Sequence, residues 1–363
     1  MTNSLHGIIL LTQDRLSNLV YIPSKQGYEV HEKLVIKAIV ETKTYQPLPQ
    51  MVALDDYIFI GLNQREKSVV VRLDAPTSQV PQRLLANSLS KSFGRLGAIG
   101  TDGEHLLLAA EGSLILLDRH LKILDRVQLI TQNWFDLEKK NAHDILVHQN
   151  QVYLMNNLIF STYIFQFTID SEKKFHINRN FEIQDAYPHL DRQWINPQLE
   201  QWVVIQSSFR PGDYRQKAHI FSLAPERERI TSQNLYPRLI NTESEGFKIL
   251  HTTKIEPVWA IVSQSRECYL VKINSHNHRI RFDEKLQLGI AIRGSARTWL
   301  LLMREHYLFI LNSTQEQVPG FLGLMREEVT NNLVIVDIQE SPQIILQQNL
   351  PSDNTLILSF LPY

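Results

Sequence analysis

From Leu96 to Leu129 the chain alternates short apolar runs with clusters of turn-forming residues. The run that starts at Leu96 ends at Thr101-Asp102-Gly103, a triplet whose glycine can take positive φ, and Leu106 to Ala110 follows at once. Glu111-Gly112 then turns the chain into Leu114 to Leu117, and Asp118-Arg119-His120 turns it into a weaker strand from Ile123 to Leu129. The spacing predicts a four-stranded antiparallel meander.

The same unit recurs along the chain. A tight polar turn followed by an apolar strand occurs seven times, the strands starting at Ile8, Tyr57, Leu106, Val152, Trp202, Val258 and Tyr307. Successive separations are 49, 49, 46, 50, 56 and 49 residues, a near-constant period that marks a repeat architecture. An inner strand precedes each marker after the first: Met51 to Leu54, Gly97 to Gly100, Asp144 to Val147, Gln193 to Ile195, Lys248 to His251 and Trp299 to Met303. A third strand follows each marker, from Asn18 to Ile22 in the first unit through to Asn332 to Ile338 in the last. A more polar fourth strand closes the unit, as in Glu32 to Val40, Phe175 to Ile183, Arg279 to Leu288 and Gln343 to Gln348. That gradient fits inner strands sandwiched between neighbours and outer strands facing water.

Ile8 has no inner strand before it, and one strand, Asn354 to Pro362, is left over at the end. If the second supplies the first, a ring closes with no open sheet edge at the junction. The whole chain, residues 1–363, therefore resembles the seven-bladed β-propeller superfamily as one all-β domain, closed by pairing of its C-terminal strand with its N-terminal blade. It lacks the Gly-His and Trp-Asp signature of WD40 repeats and the double glycine of kelch repeats, so the resemblance is to the superfamily alone. A β-sandwich pair or a β-helix predicts no fifty-residue period with a spare strand.

In such a ring the connections from strand one to two and from three to four lie on one face, and those from two to three and between blades lie on the other. The first set reads as short. The second holds the elaborated segments, among them Thr131 to His143, Gln184 to Arg192, Phe209 to Lys217, Tyr236 to Gly246 and Thr314 to Asn331. Elaborated loops on a rigid scaffold carry function. The residues expected to bind a partner there are Trp134, Tyr187, Arg192, Phe209, Arg210, Arg215, Arg238, Phe321, Leu322 and Met325, types enriched in interface cores. The segment 314–331 carries Val318, Phe321, Leu322, Leu324 and Met325 without a strand pattern, which suggests a docking segment or a short amphipathic helix. The competing reading is that these apolar residues cap the blades beneath them.

Charge and chemistry narrow the function classes. Lys plus Arg number 37 against 38 Asp plus Glu, a formal net charge of -1, so no global field draws the chain to nucleic acid or an anionic bilayer. A nucleic-acid reader, resting on Arg192, Arg210, Arg215 and Arg238 beside aromatics, is the weakest of three readings. The opening MTNSLHGIILLTQDR has neither a basic region nor a long apolar run, so the expectation is a cytoplasmic protein with no membrane span. Cys268 is the only cysteine, which excludes intrachain disulfides and cysteine-rich zinc sites. His143-Asp144 opens one inner strand and His251 ends another, so both sit where a central channel would run, without metal-ligand spacing inside either segment. No nucleophile elbow or phosphate-binding glycine loop is present, and neither cofactor, metal nor catalytic residue is assigned. The leading expectation is a non-enzymatic scaffold or adaptor that binds a protein partner through the long-loop face. The alternative is a small-ligand receptor or enzyme, a hydrolase or lyase, with its site at the channel mouth.

Overall fold

The computed structural model describes residues 7–362 apart from 13–14, 36–45, 64–67, 75–88, 94–95, 111, 130–141, 158–161, 184–187, 211–212, 225–228, 235–247, 256, 265–266, 277–278, 292–295, 320–324 and 352–354. Seven four-stranded antiparallel sheets form the blades of a propeller. Blade 1 takes β1 (Ile8–Thr12), β2 (Arg15–Ile22) and β3 (Gly27–Val35) from the start of the chain and its inner strand, β28 (Ile357–Pro362), from the end. Blade 2 holds β4 (Gln46–Leu54), β5 (Tyr57–Asn63), β6 (Ser68–Asp74) and β7 (Leu89–Phe93). Blade 3 holds β8 (Leu96–Thr101), β9 (Leu106–Ala110), β10 (Ser113–Leu117) and β11 (Ile123–Gln128). Blade 4 holds β12 (Ala142–His148), β13 (Gln151–Asn157), β14 (Thr162–Ile169) and β15 (Phe175–Ile183). Blade 5 holds β16 (Pro188–Asn196), β17 (Gln201–Arg210), β18 (Asp213–Ser222) and β19 (Arg229–Asn234). Blade 6 holds β20 (Lys248–Thr252), β21 (Val258–Gln264), β22 (Glu267–His276) and β23 (Arg279–Ala291). Blade 7 holds β24 (Ala296–Arg304), β25 (Tyr307–Pro319), β26 (Met325–Asp337) and β27 (Gln343–Leu350).

All seven marker strands begin at, or one residue before, the position read from the sequence. Their continuous apolar runs have a simple cause, since a second strand is covered on both sheet faces: all five residues of Leu106–Ala110 are buried, whereas Ile123–Gln128 at the blade's rim alternates between exposed and half-buried. The buried apolar residues fall into seven clusters, each shared by two adjacent blades, so the core is a ring of seams rather than one central mass. Closure is as expected, with Ile8 opposite Pro362 and Leu10 opposite Phe360.

The seam that joins the chain ends uses the same device as two internal seams. In blade 2 the cross-strand pair Asn63 and Ser68 grips Leu96 at the start of the next inner strand: Leu96 N donates to Asn63 Oδ1 (3.2 Å) and Ser68 Oγ (3.0 Å), and Asn63 Nδ2 donates to Leu96 O (2.9 Å). In blade 5, Ser207 and Gln216 hold Ile249, whose N–H donates to Gln216 Oε1 at 2.8 Å. In blade 7, Ser313 and Asn331 hold the closing strand, with Ile357 N donating to Ser313 Oγ (3.1 Å) and Asn331 Nδ2 to Thr355 O (3.1 Å). Gln348 adds a two-point bond across the closing seam, accepting from Tyr28 N (2.7 Å) and donating to Tyr28 O (2.8 Å). Each buried amide is thereby satisfied by backbone, at roughly 1 kcal/mol net per bond, and the entry of the next blade is fixed in register.

Four expectations change. The described residues of the segment 314–331 are strand: β25 and β26 stay paired from Tyr307 opposite Asp337 out to Pro319 opposite Met325. Phe209 to Lys217 likewise belongs to a hairpin, paired out to Arg210 opposite Asp213. The connections from third to fourth strand are not uniformly short, since β6 ends at Asp74 and β7 begins at Leu89. The fourth strand of blade 1 also starts at Gly27 rather than Glu32.

Candidate functional site

The inner strands of all seven blades line a central cavity of about 740 Å³. Six of them carry a bulge or irregularity at an equivalent level: between Met51 and Pro47, and before Ala98, Asp144, Arg192, His251 and Ser359 in the pairing with the second strand. Blade 7 has none, and β24 pairs regularly throughout. A bulge inserts a residue without a partner and re-aims its neighbours, so inner strands that would alternate strictly between seam and lumen instead bring residues of many kinds onto the channel wall.

Two sides of that wall differ. Val52, Leu300, Leu302 and Leu358, each half-buried, give apolar surface. Across from it, blades 4 to 6 supply Asp144, Arg192, Gln193, Lys248, His251 and Lys254. Lys254 Nζ donates to Asp144 Oδ1 at 2.7 Å and to Ile145 O at 3.0 Å, bridging blade 6 to blade 4 across the end of blade 5. Gln193 is buried and its Nε2 lies 3.3 Å from Asp144 O, Asp144 Oδ2 and Tyr153 O, while its Oε1 accepts from Trp202 Nε1 at 3.1 Å. Arg192 Nη2 donates to Leu250 O at 2.8 Å, tying blade 5 to blade 6. Ile195 N also donates to Lys254 O at 3.0 Å, and Ile195 bridges Ile255 in parallel.

His251 sits inside this cationic arc. Burial, then the positive charges of Arg192 and Lys254, hold its imidazole well below the ordinary value of 6.5, so it is neutral at pH 7. His251 lines the channel, and its ring hydrogen-bonds the backbone of Thr252. Among the described residues no group of three or more His, Cys, Asp or Glu is placed to hold a metal ion. The His143 side chain lies outside the described residues, and Cys268 is buried in β22.

The expected partner-binding residues fare unevenly. Trp134, Tyr187, Arg238, Phe321 and Leu322 lie outside the described residues, as do the side chains of Phe209, Arg210 and Arg215, whose backbones belong to β17 and β18. Arg192, expected in a surface loop, is within β16 and lines the channel. Met325 starts β26 and is 58% exposed. Sequence reading missed the opposite face, where Leu199, Ile255 and Met303 stand exposed at the first turns of blades 5, 6 and 7. No helix among the described residues is long and apolar enough to cross a membrane.

No family model matches the chain, and no curated protein matches it. Among solved structures, a protein from Lactobacillus plantarum is similar over 98% of both chains, with a TM-score of 0.60 at 9% identity. A post-proline cleaving enzyme from Rickettsia typhi matches 96% of this chain and 54% of its own, with a TM-score of 0.51 at 10% identity. The WD40 domain of a Toxoplasma gondii coronin matches 96% of this chain and 82% of its own, with a TM-score of 0.48 at 7% identity. At these identities the likeness is one of fold, and it sets no role for this chain.

Proposed function

We propose that the protein is a non-enzymatic interaction scaffold that binds a protein partner through the face bearing the hairpins between second and third strands. The observation that carries this reading is the length of the β25–β26 hairpin. Its inner neighbour stops pairing at Gln315 and its outer neighbour at Asn331, so Glu316–Pro319 and Met325–Glu328 form a two-stranded ribbon beyond the blade. Blade closure does not require it, since β1 and β2 of blade 1 are joined by residues 13–14 alone. A two-stranded ribbon has little stability of its own in water and leaves both edges open to strand addition. The exposed Met325 at its tip gives an adaptable apolar contact beside Arg326, Glu327 and Glu328.

The test is to replace residues 316–328 with a two-residue Asn-Gly turn and compare the variant with the parent in the native cell. The scaffold reading expects an unchanged melting temperature and loss of a stoichiometric co-purifying protein. A variant that retains the same partner at the same stoichiometry would overturn it.

A further inference from the structure

We infer that the outer edge of blade 7, strand β27, pairs with β27 of a second copy of this chain about a two-fold axis at Ile345, so that two four-stranded blades join into one continuous sheet. This goes beyond the scaffold reading, and neither depends on the other. The ribbon of that reading lies past Leu350, at the far end of β27 from the axis.

In every blade the fourth strand stands last in its sheet and leaves one edge unpaired. Six of these outer strands carry charge: Lys33 in β3, Lys91 in β7, Arg126 in β11, Glu182 in β15, Arg229 in β19 and Glu284 in β23. Charge on an edge strand guards it against pairing with another chain. The seventh, β27, reads QIILQQNL and has none. It exposes Ile344 by 36% and Ile345 by 45% instead. Ile345 is the extra residue of a bulge, since Ile344 lies opposite Val336 and Leu346 opposite Ile335 on β26. Every outer strand but β7 has such an irregularity, so the missing charge is what sets β27 apart.

A second copy is the occupant that fits, because the edge complements itself. Around Ile345 the sequence runs Gln343-Ile344-Ile345-Leu346-Gln347, apolar at the centre and amide at both ends. Antiparallel pairing about an axis at Ile345 sets Ile344 of each copy against Leu346 of the other and Gln343 against Gln347, the self-match that an isologous contact requires. Each glutamine amide both donates and accepts, so the two ends satisfy one another. No register of β27 against itself opposes like charges, and a formal net charge of -1 per copy adds little repulsion between the bodies. The pairing also has a built-in stop. Pro342 has no N–H to give, and it falls opposite Gln348, whose side chain is already bonded to Tyr28 N and O. Since each copy uses the same edge, the contact closes as a dimer and does not propagate into a fibre.

Sedimentation velocity of the full chain, from micromolar to submillimolar concentration, tests the inference. A reversible equilibrium between monomer and dimer is expected, with the weak affinity of a small interface. Ile345→Lys sets an ammonium against its own copy at the axis and should weaken the dimer about tenfold or more. Its melting temperature should match the parent's, because Ile345 is exposed and has no partner on β26. Ile345→Glu should behave in the same way alone. An equimolar mixture of the two variants should dimerise again, since a lysine then meets a glutamate across the axis. Ile123→Lys, at an equally exposed position on the outer strand of blade 3, is the control and should dimerise like the parent. A parent that stays monomeric at the highest concentration overturns the inference and leaves the edge to an extended segment of another protein. It is equally overturned if Ile345→Lys dimerises like the parent, if Ile123→Lys abolishes the dimer, or if the mixture stays monomeric.

Discussion

The channel wall is built in two ways. From β28 through β4 and β8 to β12 the inner strands lie close against one another, whereas β12, β16, β20 and β24 make few mutual contacts. Within the close arc β8 is built of small residues: it contributes Gly97, Ala98 and Gly100, and a Cβ on Gly100 would stand 2.9 Å from Ile145 Cγ2. The open arc has tryptophan in its seams. Trp202 lies between blades 4 and 5, Trp194 between 5 and 6, and Trp259 and Trp299 between 6 and 7. The long side chains of Gln193, Arg192 and Lys254 span the gaps between those blades. Seven similar repeats thus make a channel whose inner strands are unevenly spaced, and the cationic wall lies on the looser side.

The largest expected effect comes from cutting a span in the open arc. Gln193→Ala leaves the buried Trp202 indole N–H without its acceptor, removes the amide from Asp144 and Tyr153, and creates a void. A loss of about 3 kcal/mol is expected by chemical denaturation, from unpaired buried groups together with lost packing. A loss under 1 kcal/mol would mean that tryptophan packing alone holds the open arc, and the division drawn above would fail.

In the close arc the sensitive change is an addition. Gly100→Ala forces its new methyl into Ile145, and overpacking of this kind costs about 1 to 2 kcal/mol. Ile145→Ala should cost less when made with it than when made alone, since it removes the Cγ2 methyl that the new methyl meets. Strict additivity of the two changes would show that the close approach is not what Gly100 serves.

The blade count and the closure were legible because their cause is local. A second strand covered on both faces must be apolar throughout, so runs such as LLLAA and VWAIV announce themselves at each repeat. The ribbon at 316–328 was not legible, because a two-stranded extension has no buried face and so no alternation to read. The channel cluster failed for another reason. Asp144, Arg192 and His251 occupy equivalent levels in blades 4, 5 and 6, opposite Met155, Ile205 and Ile261. They nevertheless precede their marker residues by eight, ten and seven positions, because the first turns differ in length. Bulges shift the facing of the strand once more, so neither spacing nor parity reveals that the three share one wall.

The smallest effect, and the one that isolates the cationic arc, is a pH dependence. In the folded chain His251 is neutral well below 6.5, whereas in the unfolded chain it takes up a proton near 6.5. Below that pH the unfolded state binds more protons, so stability falls as pH drops from 6.5 toward the folded value, and above 6.5 His251 contributes nothing to the slope. His148 is also lowered by burial, and carboxylates titrate nearby, so the measurement has to be a difference. His251→Gln keeps an amide in the lumen and removes the titration. Between pH 6.5 and 5.5 the parent should lose about 1 kcal/mol more than the variant, since one proton per molecule is worth up to ~1.4 kcal/mol per pH unit. The two should follow the same curve from pH 7 upward. Parallel curves down to pH 5.5 would mean that the imidazole accepts its proton in place, and that Arg192 and Lys254 do not set the potential of the wall they share.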